Sequence, residues 1–174
     1  MNIAYGGENG VGYLECINPR IGKWRVRWNI HPYTDSETGE NRGYEFCEEE
    51  FHHKPTMAEI KQVVTSWYNV QIDTAIQSGF VWKEMAVWLS TENQFNYKAA
   101  YDMAVQTEGS SLPCTFKFGT TEAPVYYTFE TLDDLTDFYS QSLAYVQQCL
   151  SDGWATKGAI DFSVYEKEVA YGND

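Results

Sequence analysis

The period of apolar and polar residues changes several times along the chain. Over residues 22–30 it is two: Trp24, Val26 and Trp28 alternate with Lys23, Arg25 and Arg27. That predicts a strand with aromatics on one face and three cations on the other. Residues 31–41 are polar and hold Pro32, Asp35, Ser36 and Gly39, which predicts a loop. Residues 42–51 return with period two, Tyr44 and Phe46 on one face and Glu45, Cys47 and Glu49 on the other. The two segments predict an antiparallel hairpin with a long tip. Upstream, residues 13–17 read as a short strand and Asn18-Pro19-Arg20 as a turn. Gly6, Gly7, Gly10 and Gly12 crowd the first dozen residues, which read as a flexible arm or irregular edge. No Gly-Lys-Ser/Thr or dinucleotide fingerprint follows them, so they do not predict a phosphate loop.

After Lys54-Pro55 the period becomes helical. Thr56 and Glu59 form a capping box, and Ile60, Val63, Val64, Trp67, Ala75 and Ile76 follow at helical spacing. The helix should span 56–78, about 33 Å, with Gly79 as its stop. Thr91 with Gln94 opens a second helix, marked by Phe95, Ala99, Met103 and Gln106 and ending near Gly109. Thr131 with Asp134 opens a third, lined by Leu132, Leu135, Phe138, Leu143, Val146 and Leu150. Gly153 should stop it, with Trp154 folding back. Between the helices, residues 80–82 and 85–89 read as strands joined by Lys83-Glu84. Residues 113–118 and 125–129 read as a hairpin around Gly119-Thr120-Thr121-Glu122. Residues 160–165 read as extended, and 171–174 as a tail. The expected class is α+β: a mainly antiparallel sheet with about three packed helices. Residues 1–53 are expected as an N-terminal β-hairpin region and 54–174 as an α+β domain, together one compact unit.

Composition narrows the chemistry. The 174 residues hold 25 Asp+Glu against 12 Lys+Arg, a formal net charge of -13, which disfavours nucleic acid as a partner. A hydrophobic fraction of 43% excludes an intrinsically disordered chain. No apolar run approaches the ~18 residues of a membrane span. Residues 1–8 have neither a basic start nor an apolar core, so no secretory leader is expected. Cys16, Cys47, Cys114 and Cys149 are far apart and predict buried free thiols in a reducing compartment.

Four groups of residues are candidates for function. Lys23, Arg25 and Arg27 suit an anion such as a phosphate, a nucleotide or an acidic partner; pairing with Glu45 and Glu49 across the hairpin is the preferred alternative. Cys47, His52 and His53 make a poor metal site, because adjacent strand residues point to opposite faces. Glu48-Glu49-Glu50 beside Glu45 reads as a solvated strand edge rather than a catalytic acid pair. The aromatic load suits protein contacts, with Trp24, Trp28, Tyr126 and Tyr127 as candidate interface residues. No nucleophile elbow, catalytic triad or cofactor motif is present, so neither an enzyme nor a cofactor is expected.

The order of motifs in the last two thirds adds a resemblance. The stretch Gln71-Ile72-Asp73-Thr74-Ala75-Ile76-Gln77-Ser78-Gly79-Phe80-Val81-Trp82-Lys83 is followed by Val87-Trp88-Leu89-Ser90, Asn93-Gln94-Phe95-Asn96 and Phe116-Lys117-Phe118. It resembles a domain of unknown function found in phage and prophage tail-region proteins, of the type carried by prophages of gut Bacteroidales. The resemblance implies a non-enzymatic virion or tail-assembly role, with a tail or other virion protein, or a second copy, as partner. It implies residence in the host bacterial cytoplasm during assembly, or in the virion. An alternative expectation is a phage anti-defence protein that binds a nucleotide signal on Lys23, Arg25 and Arg27, or that occludes a host immune effector with its acidic surface.

Overall fold

The alternating segments do pair, in a longer hairpin than their pattern suggests. A computed structural model describes residues 2–7 and 11–166 of the chain. The expected tail at 171–174 and Gly10 lie outside the described residues. The described chain is α+β, with three helices and antiparallel strand pairs. Its contacts divide it into two units, described separately below: residues up to Trp67 with those from Ile160, and Tyr68–Ala159. The expected boundary at 53–54 falls between the last strand of the first sheet and the first helix.

In the first unit, β1 (Asn2–Gly6), β2 (Leu14–Asn18), β3 (Lys23–Thr34) and β4 (Asn41–Phe51) form one sheet in the order β1-β4-β3-β2. The opening residues are therefore an edge strand, not a loose arm. β3 runs through residues expected as loop, up to the pair Thr34↔Asn41. It tolerates Pro32 because β2 pairs with it only as far as Val26, leaving Pro32 without a sheet neighbour on that side. The true tip is short. Asp35 Oδ1 accepts from the amides of Glu37 (2.9 Å) and Thr38 (3.0 Å), and Gly39 takes a positive φ of 72°. A bulge at Asn29 and Ile30 sets two residues of β3 against Phe46, with Asn29 at φ 52°. Leu14, Val26, Trp28 and Cys47 are buried on one side of the sheet.

Helix α1 (Met57–Ser78) starts at the expected capping box: Glu59 N donates to Thr56 Oγ1 (3.3 Å), and Thr56 N donates to Glu59 Oε2 (2.7 Å). Those hydrogen bonds hold the Glu59 carboxyl down at about 2. Residues 162–165, expected as extended, form a 3-10 turn that places Tyr165 in the core, its hydroxyl donating to Arg27 O (2.8 Å).

The second unit is built on aromatic rings. β5 (Phe80–Trp82) pairs with β6 (Met85–Val87), and β7 (Cys114–Gly119) with β8 (Pro124–Phe129). Around them stand α2 (Thr91–Gln106), α3 (Leu132–Gly158) and the last turns of α1. Trp82 is central: the rings of Tyr127, Phe138, Phe129 and Phe118 lie 5.0, 5.2, 5.4 and 6.2 Å from it.

Two helix ends correct the sequence reading, while α1 ends at Ser78 with Gly79 next, as expected. The cap of α2 is Ser90, which accepts from Asn93 N, one residue before the expected Thr91. Gly79 follows α1 without a positive φ; a Cβ there would sit 2.1 Å from the Tyr145 hydroxyl, which donates to Ala75 O. Gly153 does not stop α3, which continues to Gly158. A Cβ at 153 would meet Ile72 Cδ1 at 2.3 Å, so this glycine allows α1 and α3 to touch. Trp154 consequently stays helical and 62% exposed instead of folding back.

Candidate functional site

Alternation on β3 puts Arg25 and Arg27 on the side of the sheet opposite Trp28, and antiparallel pairing brings Glu50 and Glu48 against them. Arg27 is only 8% exposed. Its guanidinium lies 2.7 Å from Glu15 Oε2 and 3.4 Å from Glu48 Oε2, donates to Gly12 O (3.1 Å) and stacks 5.1 Å from the Phe46 centroid. Arg25 Nη2 meets Glu50 Oε1 at 2.8 Å. Its Nε sits 3.2 Å from Glu48 Oε2 but lacks hydrogen-bond alignment. Lys23 Nζ reaches Glu50 Oε2 at 2.6 Å. Arg25 and Lys23 together hold the Glu50 carboxyl down at about 2.

Cross-strand pairing is therefore what the stripe does, but with other acids than expected. Glu48 and Glu50 share the parity of Phe46 and face the arginines; Glu49 lies opposite Val26 and Glu45 opposite His31. Alternation along β4 does not say which of its faces meets the cations; the register does. Of the acidic run, Glu48 lies between β1 and β3, whereas pairing with β1 ends at Asn2↔Glu48 and leaves Glu49 and Glu50 paired on the β3 side alone among the described residues. A basin of about 360 Å³ opens beside the ladder, lined by Gly6, Gly12, Glu15, Arg25, Arg27 and Glu48. An anion entering it would meet two carboxylates and two cations already in use.

The two tryptophans of β3 differ. Trp28 is buried, and its Nε1 has no hydrogen-bond partner among the described residues. Trp24 is half-buried, with the Lys54 ammonium 5.4 Å from its ring centroid. Nearby, His53 Nε2 is 2.9 Å from Glu59 Oε1, and burial pushes the Cys47 thiol up. Among the described residues no three metal-ligating side chains converge.

Tyr126 and Tyr127 belong to the second unit and the β3 residues to the first. As adjacent strand residues they part: Tyr126 is 70% exposed, while Tyr127 turns inward. The Tyr127 hydroxyl donates to Asp134 Oδ2 (2.6 Å) and accepts from Lys83 Nζ (3.0 Å). Lys83 also meets Asp134 Oδ1 at 2.6 Å and lies 4.4 Å from the Trp82 ring centroid. These bonds raise the Lys83 ammonium's pKa. They anchor a two-residue turn in which Lys83 and Glu84 both have positive φ, 45° and 64°, without a glycine.

Another exposed apolar surface of the second unit lies on α2 and α3. Helix α2 has two apolar faces. The Tyr97–Ala104 face is buried, with Tyr101 stacked on Tyr139 at 4.5 Å; Phe95, Ala99 and Met103 are exposed. Burial selected Tyr97 because it meets the Phe116 and Phe138 rings. Phe95, 70% exposed, and Leu143 of α3, 45% exposed, line one groove of about 250 Å³ floored by Leu89 and Ser142. A smaller hollow shares Leu89, Gln94 and Val146 with it and continues to Asp73 and Gln77 of α1. Asn93 and Gln94 fix the approach to this groove by donating to Trp88 O (2.8 Å) and Leu89 O (2.7 Å). The sequence signal for it was a helix apolar on two sides at once, of which a small domain can bury only one.

No helix among the described residues is long and apolar enough to cross a membrane. Comparison with family models, with curated proteins and with solved structures returns no match to this chain.

Proposed function

We propose that the protein is a non-enzymatic phage or prophage structural protein, tail-associated, that works through protein–protein contacts. The observation that supports this reading is the groove between α2 and α3, where Phe95 and Leu143 leave apolar side chains in water beside one another. The order of motifs over residues 71–118 points the same way. The alternative in which Lys23, Arg25 and Arg27 hold a nucleotide signal draws no support from the geometry, because each cation already faces a glutamate.

The test is composition. Virions and tail intermediates of the phage that encodes the chain are purified and examined by mass spectrometry, and the full chain is mixed with the tail proteins and followed by light scattering. Stoichiometric incorporation, or a stable complex with a tail component, is the expected result. Exclusion from virions and intermediates alike, with no complex at micromolar concentration, would overturn it.

A further inference from the structure

We propose that the groove between α2 and α3 receives an amphipathic helix of a partner protein, with apolar residues on one side and Lys or Arg along its flanks. The inference rests on the docking reading above and names the chemistry of the partner.

Shape gives the apolar half of the argument. Phe95 and Leu143 form opposite lips of the groove, and Leu89, fully buried, lies in its floor with Val146 beside it. A row of apolar side chains at helical spacing fits between two helices of this kind.

Charge gives the other half. Residues 68–159 contain eleven Asp and Glu, four Lys, and neither Arg nor His. Three of the four lysines are held within the unit: Lys83 by Asp134, Lys98 by Asp102, and Lys157 by Asn69. Lys98 itself lines the groove, its charge taken up by Asp102, while Asp73 lines the adjoining hollow and Glu92 stands in the first turn of α2, so the negative field is that of the surrounding unit. An occupant with cationic flanks gains from this field. A second copy, from a chain of net charge -13, meets repulsion, and so does an anionic bilayer.

The experiment uses the full chain and a fluorescently labelled amphipathic Leu/Lys peptide, with a Leu/Glu peptide of the same apolar pattern as counterpart. The variants are Phe95→Ala with Leu143→Ala, which leaves the charge unchanged, and Tyr126→Ala as an exposed aromatic control outside the groove. Thermal melts confirm that each folds as the parent does. The expected result is saturable binding of the Leu/Lys peptide that weakens about tenfold or more in the double variant. It should be unchanged in Tyr126→Ala, weaker in high salt, and absent for the Leu/Glu peptide. Binding that survives the double variant would show charge attraction without the groove and overturn the inference; so would no binding, or equal binding of both peptides. The docking reading fails separately. Tail association that persists in the double variant removes the groove and keeps the function, whereas peptide binding by a chain excluded from virions and tail complexes keeps the groove and removes the function.

Discussion

The two units reach a defined structure by different means. The sheet of the first is fixed by direction and charge: all four arginines of the chain lie in residues 1–67, and Arg25 and Arg27 stand in a ladder with Glu15, Glu48 and Glu50. The second has no arginine and is fixed by shape, through rings at 4.8–6.4 Å around Trp82, Phe118, Phe129 and Phe138. Ring packing tolerates little change of volume, while an ion ladder tolerates shape and responds to pH and salt. A ring cluster that fills the interior leaves Phe95 no place inside, whereas the sheet covers its buried arginine with Phe46 and Glu48.

The comparison can be broken at several strengths. Trp82→Ala should be the most damaging change, about 3–5 kcal/mol in urea unfolding, since it empties the centre of the ring cluster and the Trp82 Nε1–Asp137 bond at 3.0 Å is lost with it. A loss below about 1 kcal/mol would mean that the cluster is not the source of order there. Gly119→Ala should follow at about 2–4 kcal/mol, because Gly119 has φ 81° and a Cβ would lie 2.3 Å from the backbone oxygen of Ala123. Arg27→Met should cost about 1–3 kcal/mol by the same measurement, leaving Glu15 partly buried without its cation and Glu48 with Arg25 alone; adding Glu15→Gln should recover part of the loss. A double variant no better than the single would show that stacking on Phe46, not charge, is what matters.

The smallest effect is a pH dependence. Glu50 and Glu59 have folded values near 2, below the ordinary ~4.3. Their contributions are therefore complete above about pH 4.5 and fade as pH falls toward 2. Both are at the surface, so the slope should be shallow. Glu59→Gln should flatten it further, read as melting temperature across that range, and an unchanged slope would remove Glu59 as a source.

Much of this was legible because it is local. The Thr56–Glu59 and Thr131–Asp134 caps involve residues three apart, and both form. The Lys83-Glu84 reversal and the tip after Gly119 were visible for the same reason. What was misread depends on residues distant in sequence. Gly153 looks like a terminator until Ile72, on another helix, is known to lie against it. The glutamates facing Arg25 and Arg27 follow from a register that no alternation encodes. The spacing of Phe95, Ala99 and Met103 marks a helix without naming its buried face, which the packing of Tyr97 and Tyr101 decides.

The bulge at Asn29 and Ile30 has a consequence for how the hairpin finds its alignment. Sliding β4 by two residues keeps every side chain on its own side of the sheet, so hydrophobicity alone does not oppose it. In one such misalignment Arg25 would face Glu48 and Lys23 would face Glu50, a plausible decoy that strands Arg27 against Phe46. A kink at a fixed position, with Asn29 at φ 52°, travels with its own strand and has to find Phe46 opposite it. It acts as an index mark, telling the native alignment from its even-numbered neighbours.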